Sequence, residues 1–235
     1  MALWWPLLAH SEEAAKPIPV AGTEASYQGR FMGVDCPLWT TGTPDKDGLL
    51  PVTCEDFVLE LDVANDLNPV RLRGEGGTTL AEFKPYGPTL SFPLHVGKRW
   101  RGGYMGFTAF NNLVWEGDTR CKVEAKEKIT VPAGSFDTFR IECEQGWRVG
   151  PATGSTRATR WYAPTPGTVV KEIQTQNPAG SNFELATYAL AGPKPAVWPE
   201  PTPEPVEATQ PPAPLAIPAK PAKRGDAGIL DPDEY

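Results

Sequence analysis

The sequence predicts an all-β protein: an antiparallel meander of about ten strands closing as a barrel, half-barrel or sandwich, with an extended N-terminal arm and a Pro-rich C-terminal tail. Three observations carry this expectation. Apolar or small residues at 121, 123, 125, 129 and 131 alternate with Lys122, Glu124, Lys126 and Lys128, and beyond Pro132-Ala133-Gly134-Ser135 the residues Phe139, Ile141 and Cys143 alternate with Arg140, Glu142 and Glu144. Period two on both arms of a Pro/Gly turn is a β-hairpin with one buried and one wet face. Phe57, Leu59, Leu61 and Val63 repeat that period against Glu60 and Asp62. Of the 27 prolines, those at 193, 195, 199, 201, 203, 205, 211, 212, 214, 218, 221 and 232 all follow Leu190, where the strand pattern stops.

Taken in order, residues 1–26 form the arm, 27–191 the single β domain and 192–235 the tail. The opening Met1-Ala-Leu-Trp-Trp-Pro-Leu-Leu-Ala9 resembles the end of a signal h-region but is short, broken by Pro6 and without a basic start. The alternative is an apolar arm that packs on the domain or on a partner, with Trp4 and Trp5 as its anchors. Tyr27 to Val34 is a first strand, followed by a loop with Asp35-Cys36-Pro37 and the turn-rich Thr43-Pro44-Asp45-Lys46-Asp47-Gly48. That loop superficially resembles a calcium loop but lacks the acidic closing residue, and a type I turn accounts for it. Strands follow at Asp56–Val63, Val70–Arg73 and Thr78–Lys84, the last two separated by a Gly74–Gly77 hairpin turn. Gly102, Gly103 and Gly106 lie inside the next strand, where glycine suggests a bulge, a sharp bend or close approach of another backbone. After the central hairpin, Arg157–Ala163, Thr168–Gln176 and Asn182–Leu190 complete the meander.

Cys36, Cys54, Cys121 and Cys143 form no C-x-x-C or Cys/His cluster, which argues against a structural zinc site. Of the three pairings, Cys36–Cys54 with Cys121–Cys143 is the one local geometry favours. A turn centred on Pro132 sets Cys121 opposite Cys143, whereas a tight Pro132-Ala133-Gly134 loop would set them diagonal. Two disulfides imply an oxidising compartment; the alternative is four free thiols in a reduced core.

Phe92-Pro93-Leu94 with Val96-Gly97-Lys98-Arg99-Trp100, then Val131-Pro132-Ala133-Gly134-Ser135-Phe136, then Trp161-Tyr162-Ala163-Pro164 with Val169-Val170-Lys171 resemble an uncharacterised family of bacterial exported β-domains. The resemblance spans roughly Phe92 to Tyr188. It implies a β-fold, in some members a half-barrel similar to lipoprotein-carrier folds, and a periplasmic or cell-envelope location, with no catalytic residues to carry over.

Composition restricts function further. A formal charge of −7 excludes the basic footprint of a nucleic-acid binder, and no apolar run reaches the roughly 18 residues that span a bilayer. His95 has no serine in a nucleophile elbow to serve. Glu116, Asp118, Glu142 and Glu144 alternate with Lys and Arg as solvated cross-strand partners do, rather than as a glycosidase pair. No catalytic, cofactor-binding or metal-binding residues are therefore expected. The leading expectation is a non-enzymatic accessory or structural subunit of a larger protein assembly near a membrane surface. Its partner contacts would be Trp4, Trp5, Trp198 in the tail, and Ile229 with Leu230 near the end. The alternative is a glycan- or lipid-binding module stacking ligand on Trp100, Trp115, Trp161 and Tyr162, and a cavity of several hundred Å3 would favour it.

Overall fold

A computed structural model of the chain describes residues 13–31, 34–175 and 182–190. Twelve strands lie within them: β1 Glu24–Arg30, β2 Trp39–Thr41, β3 Leu49–Cys54, β4 Phe57–Asp62, β5 Asn68–Arg73, β6 Thr79–Lys84, β7 Arg99–Thr108, β8 Leu113–Val131, β9 Gly134–Val149, β10 Ala152–Ala163, β11 Thr168–Thr175 and β12 Asn182–Ala189. Each pairs antiparallel with its neighbours in sequence, and β1 closes the ring between β12 and β2. Of the architectures the pattern allows, the chain adopts the barrel.

β2 and β3 lie in the stretch that reads as loop after residue 34. β2 is only three residues long, and Pro51 interrupts the apolar run of β3. Proline can stand there because its neighbour asks only for an acceptor: Gly42 N–H donates to Pro51 O at 2.8 Å. The Asp45 turn behaves as expected, with Asp45 Oδ1 accepting the amides of Asp47 and Leu49 at 2.9 and 3.0 Å. β1 starts at Glu24, and part of the arm belongs to the barrel. Ala14 exchanges two backbone hydrogen bonds with Leu94, both 2.8 Å, and Lys16 Nζ donates to Val63 O.

The β8–β9 hairpin carries the main correction. Its turn is the tight one, Val131 opposite Gly134, which on a regular ladder would leave Cys121 off register from Cys143. A bulge at Glu124 absorbs one residue, so that Ala125 faces Arg140 but Val123 faces Ile141, and Cys121 lands opposite Cys143 with Cα atoms 4.1 Å apart. The bulge also divides the apolar set between two faces. Cys121, Val123, Ile141 and Cys143 pack inward with Ala158 and Tyr162. Ile129, Val131 and Phe136, on the opposite face, pack with Ala163, Val170 and Leu185. There Ala133 N–H donates to Leu185 O at 3.0 Å. The second disulfide, Cys36–Cys54, ties the segment before β2 to the end of β3 beside Trp39 and Leu59.

Outward positions on β8 before the bulge, and on β9 from Arg140 to Arg148, are mostly charged: Arg120 pairs with Asp118 at 3.1 Å, Arg148 with Glu116 at 3.6 Å, and Arg140 with Glu142. This apolar-in, charged-out alternation is the reverse of a membrane-spanning barrel's.

The bulge assignment makes a sharp contrast between two deletions. Removing Glu124 straightens the hairpin but keeps Cys121 opposite Cys143, so a thiol titration in denaturant is expected to find no free thiol. Removing Lys122 instead turns Cys121 to the outer face, and two free thiols are expected.

Candidate functional site

Eight strands enclose about the space their side chains fill, and barrel diameter grows with strand number. Twelve leave a surplus, which appears as two cavities. The larger is about 1280 Å3. It lies at the end carrying the β7–β8 loop, where Phe110, 96 % exposed, and Trp147 stand at its mouth. The smaller, about 220 Å3, lies under Pro17–Val20 and is walled by Tyr27, Phe31, Trp39 and Phe183. These rings are locked to one another, Tyr27 stacked on Phe31 at 4.7 Å and Phe183 edge-on to both at 4.9 and 5.0 Å.

Glycines keep the larger cavity open. Trp115 sits opposite Gly106, Tyr104 opposite Gly117 and Trp147 opposite Gly154. In each couple a Cβ on the glycine would overlap the ring, so the ring lies flat across the facing strand instead of standing into the lumen. The β7–β8 ladder runs from Arg99–Lys122 to Thr108–Leu113 without a register shift. The β7 glycines thus mark no bulge; Gly106 admits a ring and Gly102 the ring of Pro88. Phe83 completes the aromatic wall, edge-on to Tyr104 and Trp115.

Between the cavities lies a buried ion pair. Arg160 and Glu172 border both, with side chains 5 % and 8 % exposed. Arg160 Nε donates to Glu172 Oε2 at 2.8 Å and Nη2 to Oε1 at 3.3 Å, while Gln174 Nε2 donates to the same Oε1 at 2.9 Å. Arg160 Nη1 is buried with no partner. The Tyr162 hydroxyl, also buried and unpartnered, faces the smaller cavity.

The four expected stacking residues separate accordingly. Trp115 lines the larger cavity and Tyr162 the smaller. Trp100 donates Nε1–H to Pro88 O at 3.2 Å and packs on the core. Trp161 donates to Glu127 Oε1 at 2.7 Å beneath the Lys171 ammonium, 5.6 Å from the ring centre. Neither lines either of these two cavities. Trp4, Trp5, Trp198, Ile229 and Leu230 lie outside the described residues. Sequence reasoning missed Arg160 and Glu172. The available signal was parity on β10, where Arg160 alternates in phase with the inward Ala158 and Tyr162; Glu172 is placed opposite it by the β10–β11 register, with the shift at Val170 hiding its phase.

Residues 115–179, from β8 through β11, match the model of a DUF3108-like family. The chain is similar to a crystal structure of a Bacteroides fragilis protein inferred to be exported, with a YmcC-like fold. That likeness has 13 % identity and a TM-score of 0.44, and covers 75 % of this chain and 99 % of that one. It is also similar to an inferred lipoprotein of Parabacteroides distasonis at 12 % identity and a TM-score of 0.41, covering 76 % of this chain and 100 % of that one. No curated protein matches.

Burial around the cavities suppresses ionisation of the lining phenols. It pushes Tyr27 up to about 12, against an opposing hydrogen bond from Thr168, and raises Tyr104, Tyr162 and Tyr188. A phenol whose folded pKa exceeds its unfolded value of 10.0 stabilises the fold fully below pH 10 and loses that contribution as pH rises toward its folded pKa. Unfolding free energy is therefore expected to fall between about pH 10 and 12, and Tyr27→Phe to flatten part of that fall, as followed by urea titration at each pH.

Proposed function

We propose that this domain is a binding module that holds an elongated, largely apolar ligand inside its barrel, in an exported protein. The observation that supports this reading is the lumen: about 1280 Å3 walled by Trp115, Tyr104, Phe83, Phe57 and Leu80, with ring faces laid flat against the strands. Mainly apolar surface of this extent, concave and open at one end, is the kind of wall a largely apolar ligand covers. A glycan would require polar partners around its whole rim. The lumen's polar groups, among them Arg30, Asp35, Asn111, Gln145, Thr156 and Gln174 beside the ion pair, are outnumbered by apolar side chains, which suits an acyl chain better. Two disulfides fit an oxidising compartment, hence export. The accessory-subunit reading, with residues 1–26 and 192–235 as tethers, rests on contacts at Trp4, Trp5, Trp198, Ile229 and Leu230, which lie outside the described residues.

Thr156 points into the larger cavity, so Thr156→Trp would fill it from the wall. The wild-type protein is expected to bind the neutral probe N-phenylnaphthylamine and to release it to hexadecanol. Thr156→Trp is expected to weaken both at least tenfold with the circular dichroism spectrum unchanged. Absence of probe binding, or equal binding by the variant, contradicts the reading.

A further inference from the structure

The apolar wall does not account for Arg160. A guanidinium is among the costliest groups to bury, and when buried its N–H donors are ordinarily all engaged. Here two of its three nitrogens engage Glu172, and the third, Nη1, is left without a partner. If the group served only to neutralise Glu172, a lysine, with one compact charge and fewer donors, would suffice. The planar fork instead offers a further edge once one edge is engaged.

Two observations place the guanidinium beside the lumen. Arg160 lines both cavities. Gln174, which neighbours the pair, lines only the larger one and is engaged with Glu172. A guanidinium with one unengaged nitrogen thus borders a cavity whose walls are mainly apolar.

We propose that the ligand of this lumen is an acyl chain bearing an oxyanion head, a carboxylate or a phosphate, and that Arg160 Nη1 receives the head while the chain runs along the Trp115, Tyr104 and Trp147 faces toward the mouth. This rests on the lumen being a binding site. Glu172 leaves the pair neutral overall, so recognition comes from directed donors rather than net charge. It therefore survives at physiological salt but remains moderate, since hydrogen bonds to a charged group are worth about tenfold in affinity or somewhat more. Glu172 acts through Arg160: held by Gln174, it fixes one edge of the guanidinium and leaves Nη1 unengaged beside the cavity.

The test compares palmitate, lysophosphatidate and uncharged hexadecanol for displacement of N-phenylnaphthylamine. The full chain is used as wild type and as the double variant Arg160→Gln with Glu172→Gln, which removes both charges and leaves neither buried alone. Arg160→Lys serves as a second variant that keeps the charge without the fork. Wild type is expected to prefer at least one anionic ligand to hexadecanol by about tenfold. The double variant is expected to lose that preference while still binding hexadecanol, and Arg160→Lys to retain only part of it. Preference for palmitate identifies a carboxylate head, and for lysophosphatidate a phosphate head. Equal affinity of wild type for all three, or an undiminished preference in the double variant, overturns the assignment to Arg160 while leaving the lumen a binding site. Failure of every ligand, hexadecanol included, overturns the lumen reading itself.

Discussion

A ring of twelve antiparallel strands encloses more volume than the side chains pointing into it, and the rest of this structure answers to that surplus. Three devices deal with it. Near Pro17–Val20 the N-terminal segment and a cluster of interlocked rings shrink the space to about 220 Å3. In the middle Arg160 and Glu172 put a charged floor across it. Toward the other end the chain does the opposite and withholds bulk. Gly106, Gly117 and Gly154 each give up a side chain so that a facing ring can lie flat. A fold selected only for stability would fill that region; this one lines it with aromatic faces and leaves it open.

An open lumen removes part of the hydrophobic core, and the cross-links sit where that loss is felt. Cys121–Cys143 joins β8 to β9 among the inward residues behind Trp100 and Tyr162. Cys36–Cys54 fastens the segment before β2, the shortest strand of the ring, to β3. In the loop-entropy model closures of 22 and 18 residues each stabilise by about 3 kcal/mol. Bulges contribute differently. Those at Glu124 and between Trp161 and Tyr162 turn apolar residues to the other face at one end of the barrel, where Ile129, Val131, Phe136, Val170 and Leu185 form a second small core.

The strands were legible because alternation is a local signal: Phe57 to Val63, Arg157 to Ala163 and the long hairpin all declare an inner and an outer face. Closure was legible as one of several options, since so many consecutive strands leave edges to be managed. The Cys121–Cys143 pairing was expected, but the feature that creates it was hidden. A bulge is one unpaired residue, and nothing in Lys122-Val123-Glu124-Ala125 distinguishes it from regular alternation. Trp115 was singled out, yet its role depends on facing Gly106, which is fixed by the β7–β8 register rather than by either residue's neighbours. The buried ion pair was only half legible. Arg160 shares the parity of Ala158 and Tyr162, but charges on a strand are so commonly solvated that one such position passes as outer face. Glu172 shares the parity of Val170, which the bulge turns to the other cluster, so its inward position is set by the β10–β11 register.

The account turns on where an acyl chain meets the protein, and the indole protons can report that directly. With the chain's tryptophans assigned by substitution, a stearate carrying a nitroxide on its alkyl chain is added and the Nε1–H signals are followed by NMR. Selective paramagnetic broadening of Trp115 and Trp147, with Trp161 on the outer face and Trp100 behind Pro88 unaffected, is the expected result. Broadening centred on Trp161, or spread evenly over all the indoles, would contradict a ligand held in the lumen.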